Sequence, residues 1–339
     1  MAAFRWLIYA LGGGMGHLTR ASALARAAAR QGHSVTLLIN SPFAPGVPLE
    51  AVLGPGVEVL RLDAALDKRA VREVVECCLQ DVRPDVFIVD TFPRGLGGEL
   101  VSLLPGLRAR KVLVHRDLNP AYLERFDVAR AVDAFDLLLV PGEDAPLAGH
   151  ARAVRTSPWL LLEAGELLPR AEARARLGVP AGDARPVVAV MGCGTHSEVE
   201  EAGTLAARLH SLLGEAARVR WLVPPGQATA LPVAAEPLHV PVWPAVAVLP
   251  GVDVLVGAGG YNTVNEARAT GTPFVALARP RLYDRQALRL RAEELAGSVE
   301  ALLEKAVLLA RRPPARGPRR YASGTGDAVA LIERLRLNA

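Results

Sequence analysis

Lysine is almost missing from this chain: Lys68, Lys111 and Lys305 are the only three among 39 basic residues. Arginine carries the rest of the positive charge, and its planar fork of donors suits phosphates and carboxylates. Cysteine is equally scarce. Cys77 and Cys78 are adjacent in a helical stretch and Cys193 sits in a glycine turn. That leaves no disulfide framework and no metal-ligand spacing, as expected in a reducing compartment. Aromatic residues make up 5% of the chain and nowhere interleave with a dense basic block, so nucleic-acid binding is not indicated. The basic run "RRPPARGPRR", Arg311 to Arg320, is proline-rich and reads as a solvated linker that could touch anionic lipid. No apolar run approaches the roughly 20 residues that cross a bilayer. "FRWLIYAL" is too short to span one, lacks a basic leader and runs straight into glycines, unlike a signal peptide. These features predict a cytoplasmic protein, with peripheral contact at the inner face of the membrane as its one membrane role. Chemical motifs are missing too. No Asp-x-Asp pair implies a metal-bridged diphosphate, no Gly-Lys-Ser/Thr makes a P-loop, and no Gly-x-Ser-x-Gly makes a serine nucleophile. Neither metal nor cofactor is expected.

What the chain has is a regular alternation. Its 339 residues, 51% hydrophobic and 22% charged with a net charge of +4, suit two globular domains. Short apolar runs ("WLIYAL", "SVTLLIN", "VEVLRL", "DVFIVD", "KVLVHR", "DLLLVP") read as strands. The stretches "LTRASALARAAARQ", "LDKRAVREVVECCLQ" and "GLGGELVSLL" read as helices between them. Such alternation predicts an α/β protein with mostly parallel sheets. Gly32 marks the end of the first helix. The pattern breaks near Pro158 and restarts at "VVAVMGCGTH" with strand, glycine turn and helix. "VRWLVP", "VDVLVGAGG" and "PFVALARP" follow as strands, with "NTVNEARAT" and "YDRQALRLRAEEL" as helices. The predicted organisation is a first domain over 1–157, a linker over 158–186, a second domain over 187–318 and an amphipathic tail helix over 319–339. Ligands of such sheets bind at the carboxyl ends of the strands, where all the glycine turns fall.

Three turns carry candidate chemistry. The first is "LGGGMGHLTR". Gly12, Gly13, Gly14 and Gly16 permit positive φ and close backbone approach. The helix after them offers free N–H groups to an anion. It is an imperfect dinucleotide loop, because His17 replaces the last glycine and the second strand ends in Asn40 instead of an acid. His17 could take a proton near neutral pH or merely cap the helix. Arg20, one turn on, could meet an anion or simply face solvent. The second turn is "MGCGTHSE": Gly192 and Gly194 precede a helix, and Thr195 with Glu198 match a capping box. It could hold nucleotide phosphates or be only a capped helix start. The third is "GAGGYNTVNEA". Gly259 and Gly260 close a strand, and Glu266 either completes a capping box with Thr263 or binds a ribose diol. Beyond it, Asp284, Arg285 and Gln286 could orient hydroxyls or begin an exposed helix.

"GGGMGHLTRASALARA" and "VDVLVGAGGYNTVNEARATGTPFVALARPRLYDRQ" together resemble the GT-B glycosyltransferases related to the transferase that adds N-acetylglucosamine in making lipid II (family 28), in a bacterial branch with a Gly-x-Gly-His-x-x-Arg loop. The resemblance implies two Rossmann-like domains facing a central cleft. It implies a nucleotide-sugar donor, UDP-linked above all, in the second domain and an unknown acceptor in the first, with metal-independent, inverting transfer. Under it, His17 is a candidate base or acceptor-orienting group; the acceptor side itself does not carry over, and Gly13, Gly14, Gly16 and Arg20 are expected there from their place in the first loop and helix. Glu266 holds the ribose hydroxyls; Gly192, Gly194 and Thr195 lie by the diphosphate; Asp284, Arg285 and Gln286 lie by the donor sugar; and Gly259, Gly260, Asn262 and Thr263 complete the donor side. The chain departs from the family after Asp-Arg-Gln, where a donor-domain strand is expected to be shortened or missing. The same loop also resembles nucleotide-sugar hydrolases of nonulosonic acid biosynthesis, in which the histidine activates water. A non-catalytic nucleotide-sugar binding protein is the third alternative.

Overall fold

The computed structural model describes residues 3–192, 195–226, 237–312 and 320–337. Among these, two parallel sheets are built one after the other. The first comprises β1 (Arg5–Ala10), β2 (Ser34–Ile39), β3 (Val57–Arg61), β4 (Val86–Asp90), β5 (Arg110–Val114), β6 (Leu137–Pro141) and β7 (Ala153–Thr156), in the order β3-β2-β1-β4-β5-β6-β7. The second comprises β8 (Val187–Met191), β9 (Arg218–Val223), β10 (His239–Pro241), β11 (Val254–Ala258), β12 (Phe274–Leu277) and β13 (Leu295–Ala296), in the order β10-β9-β8-β11-β12-β13. The central strands β4, β6 and β8 are buried at every position, which is why they read as unbroken apolar runs. Register follows from this: Arg5 pairs with Ser34 at one end of β1/β2 and Ala10 with Ile39 at the other.

The helices are α1 (Met15–Arg30), α2 (Leu49–Leu53), α3 (Lys68–Val82), α4 (Leu100–Leu103), α5 (Pro120–Arg125), α6 (Val128–Ala131), α7 (Arg170–Arg176), α8 (His196–Leu213), α9 (Tyr261–Thr270), α10 (Val299–Arg311) and α11 (Thr325–Leu337). Gly32, at φ 90°, ends α1 as expected. The Gly32 N–H donates to Ala29 O and the His33 N–H to Ala28 O, the paired bonds of a Schellman turn. Asp67 caps α3 by accepting from the Ala70 N–H at 2.8 Å.

Two expected helices are corrected. In "GLGGELVSLL" only Leu100–Leu103 is α-helical, because Gly95 and Gly98 adopt φ of 82° and 94°, outside any right-handed helix. "YDRQALRLRAEEL" contains only a 3₁₀ turn, Gln286–Arg289, before the chain enters β13. β13 is two residues long and pairs parallel with β12.

The two sheets are not independent beads. Apolar contact runs without a break from Trp6 and Ile8 through Trp159 to Val188 and Val256. At one closure point the backbones touch: a Cβ on Gly46 would lie 2.1 Å from Pro225 O, and Gly226 opposite it has φ 77°. The tail helix α11 returns to pack on α1, where His33 Nε2 meets Glu333 Oε1 at 3.1 Å. Most of the basic run that could touch lipid, 313–319, lies outside the described residues. Among the described residues, no helix is long and apolar enough to cross a membrane.

Candidate active site

β1 delivers the first glycine turn to the cleft, and its geometry corrects one expectation. None of Gly12, Gly13, Gly14 and Gly16 has positive φ. Gly12 is needed for space: a Cβ there would lie 2.4 Å from Cδ2 of the His17 ring. Nothing would meet a Cβ on Gly13 or Gly16, and Gly14 is nearly as open, so these three leave room in front of α1. Gly14 is the N-cap of α1 and supplies no side-chain cap, and the first turn holds no acid.

His17 is held by a residue that the motifs did not identify. Its Nδ1 lies 2.6 Å from Oδ2 of Asp90, the last residue of β4. β4 is the neighbour of β1 in the sheet, so parallel pairing brings their carboxyl ends together. Arg20 grips the same carboxylate, Nε to Oδ1 at 2.8 Å and Nη2 to Oδ2 at 2.6 Å, and adds the Thr91 hydroxyl at 3.0 Å. Arg20 is 2% exposed, so it is withdrawn from the cleft and is not available to an acceptor. Burial alone would raise the Asp90 carboxyl. The Arg20 charge and the His17 contact outweigh that and hold it well below the usual carboxylate range. Thr91 follows at φ 72°, a strained conformation for a β-branched residue.

Opposite stands the second domain. Gly260 is the N-cap of α9, so Thr263 and Glu266 lie inside the helix and the capping-box reading of Glu266 fails. Glu266 is 5% exposed, and no hydrogen bond to its carboxyl is formed among the described residues. Burial pushes its carboxyl up to about 8. It lines a cavity of about 110 Å³ between the domains, with Gly16, Thr19, Trp243, Asn262 and Thr263. Asn262 bridges the cleft by donating from Nδ2 to Gly16 O at 3.4 Å. Trp243, also unidentified from sequence, reaches Thr19 Oγ1 from its indole N–H at 3.5 Å. Tyr261 ties α9 to the segment after β7, its hydroxyl accepting the Trp159 N–H at 2.9 Å, with the Arg116 guanidinium 4.2 Å from its ring centre.

A second cavity, about 600 Å³, opens over β8, β11 and β12 and shares Met191, Gly260 and Thr263 with the first. Gly192 lines it, and a Cβ there would strike Ala202 Cβ at 2.6 Å. Thr195 caps α8 and forms the expected capping box with Glu198. Gly194 lies outside the described residues. Gly259 packs under the following loop, where a Cβ would be 2.9 Å from Gln286 O.

Asp284 and Arg285 are placed otherwise than expected. Arg285 binds Asp117, which follows β5, while Asp284 accepts from Arg289. Arg289 also donates to Glu143 at 2.6 Å, and Glu143 pairs with Arg116. The result is a largely buried charged clasp between the domains. Gln286 is buried, its Oε1 accepting the Arg279 N–H at 3.0 Å. Beside the clasp, Tyr283 sits edge-on to Phe92 and Tyr122, with ring centres 5.2 and 5.0 Å away, and Phe92 is 5.5 Å from His17.

No known protein-family pattern matches this chain. No curated protein matches it by sequence. Solved structures do match it in shape. A glycosyltransferase of kitacinnamycin superposes with a TM-score of 0.63 at 19% identity, covering 98% of both chains. Arabidopsis thaliana UGT89C1, complexed with UDP-L-rhamnose, gives 0.61 at 15% identity over 100% of this chain and 94% of its own. The Streptomyces sp. SF2575 glycosyltransferase SsfS6, complexed with thymidine diphosphate, gives 0.61 at 17% over 98% and 99%. Acinetobacter baumannii MurG gives 0.52 at 15% over 98% and 100%. The seven- and six-stranded parallel sheets, joined face to face over one cleft, thus have the GT-B fold of these glycosyltransferases.

Proposed function

We propose that this protein is a glycosyltransferase that moves a sugar from a nucleotide-sugar donor, UDP-linked by preference, to an acceptor hydroxyl, without a metal and with inversion. The observation that carries this reading is that α1, which bears the Asp90-bound His17, also lines with Gly16 and Thr19 the cavity of Glu266, whose carboxyl has no hydrogen-bond partner among the described residues. Ionised Asp90 accepts the Nδ1 proton of His17, which leaves Nε2 as the proton acceptor. The acceptor oxygen gives its proton to Nε2 as it bonds to the anomeric carbon, and the bond from that carbon to the diphosphate oxygen breaks. A single displacement of this kind inverts the anomeric centre. Glu266 accepts the ribose hydroxyls and the Trp243 indole offers a face to the base. The α9 N-terminus at Gly260 steadies the leaving diphosphate. Two neighbours in the same fold were solved with UDP-L-rhamnose and thymidine diphosphate, which supports a nucleotide-sugar donor.

The test is nucleotide release from a panel of UDP- and TDP-sugars, with and without cell extract as the source of acceptor. Release that requires extract supports transfer. Release without extract means hydrolysis, and binding without release under any condition means a non-catalytic binding protein.

A further inference from the structure

The larger cavity has so far only a position. Arg279 and Arg281 enter it from the segment after β12, and Glu198 and Glu201 from α8. Arg281 reaches across the strand ends to Glu198 with both arms of its fork, Nη1 to Oε1 at 2.5 Å and Nη2 to Oε2 at 2.9 Å. Arg279 Nη1 donates to Glu201 Oε2 at 2.5 Å. Glu198 is also tied to its own helix, its Oε2 accepting the Thr195 N–H at 3.1 Å. The Arg281–Glu198 pair therefore forms part of the wall of the cavity that Gly260 also lines. Both arginines keep about a quarter of their side chains in solvent, 27% for Arg279 and 29% for Arg281, so neither partnership is sealed. The adjoining cavity supplies the independent sign of a ligand: the buried carboxyl of Glu266, without a hydrogen-bond partner among the described residues, lines a cavity that shares Gly260 and Thr263 with this one.

We propose that Arg281, assisted by Arg279, is the diphosphate-binding group of this chain, and that Glu198 holds its place until a phosphate displaces the carboxylate. A phosphate brings more charge and more acceptor oxygens than a carboxylate and fits the same planar fork. Glu198 loses little in the exchange, because the Thr195 N–H and the α8 N-terminus continue to stabilise it. The arrangement places positive charge at the leaving group only when the ligand arrives. This rests on the nucleotide-sugar reading above and adds residues to it.

The test is equilibrium binding of uridine, UMP and UDP, and of the thymidine series, to the full chain. UDP is expected to bind about tenfold or more tightly than uridine, and R281Q is expected to shrink that ratio to about threefold with uridine affinity unchanged. R279Q should fall between. E198Q keeps a neutral cap and removes the competitor, so it should tighten UDP binding severalfold. An unchanged UDP-to-uridine ratio in R281Q overturns the proposal. Should R281Q not fold, an E198Q protein whose UDP affinity fails to rise overturns it. An unaltered chain that binds neither nucleoside series refutes the nucleotide-sugar reading itself, and this proposal with it. Nucleoside binding with a phosphate increment indifferent to Arg281 refutes the arginine alone.

Discussion

His17 Nδ1 and Asp90 Oδ2 lie 2.6 Å apart although 73 residues separate them in the chain. The pair exists because β1 and β4 are parallel neighbours, so the turn after one and the last residue of the other meet at the carboxyl end of the sheet. Arg20, from the next turn of α1, completes the set and keeps Asp90 ionised.

Asp90→Asn keeps the size of the side chain and removes the charge that fixes His17. We expect kcat to fall by about 10² to 10⁴ with donor affinity nearly unchanged, the range of general-base contributions. It also leaves Arg20 buried without a counter-charge, so stability should drop by about 3–5 kcal/mol. Steady-state kinetics with urea denaturation of both proteins checks both parts. Full activity in Asp90→Asn would remove the base from His17.

Glu266 yields a pH prediction. In the empty protein its carboxyl is raised from 4.5 to about 8 by burial. Across that window the folded state holds a proton that the unfolded chain has lost, so this group's contribution makes stability fall as pH rises. Glu266→Gln should therefore gain stability over the unaltered protein as pH increases. A ribose diol donates to the ionised carboxylate, so nucleotide binding should release a proton and tighten between about pH 6 and about pH 8, and the Gln variant should bind about tenfold or more weakly. A pH-independent Kd, or a stability difference that stays flat across the window, would contradict this.

Gly12 and Gly13 should behave oppositely on substitution. Gly12→Ala drives a methyl into the His17 ring, and we expect a loss of about 1–3 kcal/mol with a matching fall in kcat. Gly13→Ala meets nothing within 4 Å and should leave Tm unchanged. Thermal unfolding of the two single variants separates them, and equal behaviour would show that the ring does not rest over Gly12.

The interdomain clasp should be a stability element. Arg289 is 7% exposed and faces Glu143 and Asp284. Arg289→Met leaves those acids short of a counter-charge, at a cost of about 3–5 kcal/mol that added salt barely changes, because buried pairs are little screened. Denaturation at low and high salt measures it, and small-angle scattering should show a wider particle if the domains part. An unchanged midpoint would mean that the apolar contact alone holds them.

Strand existence was readable because buried parallel strands must be apolar throughout, and the six expected in the first half all form. β7, β10 and β13 were not readable: the first is exposed in part, and the others are three and two residues long. The helix expected at Asp284 illustrates a different failure. The chain there makes only a 3₁₀ turn that leaves Ala287 and Leu288 exposed, while Arg285 and Arg289 are drawn to acids of the other domain. Asp90 left one local signal, an acid closing an apolar strand, and the same pattern is common at strand ends that do no chemistry.

By itself the sequence determined the two α/β units, the glycine turns at their strand ends, the capped start of α8 and the histidine in the first loop. Periodicity, turn chemistry and capping act within a few residues, so they are written locally. Only the tertiary structure decided that His17 is gripped by Asp90, that Arg20 serves Asp90 and not an acceptor, that Glu266 is a buried acid without a hydrogen-bond partner among the described residues, and that Asp284 and Arg285 belong to a clasp. Those outcomes depend on which strand ends become neighbours and on which charges lose water when the domains close, and no local stretch of sequence encodes either.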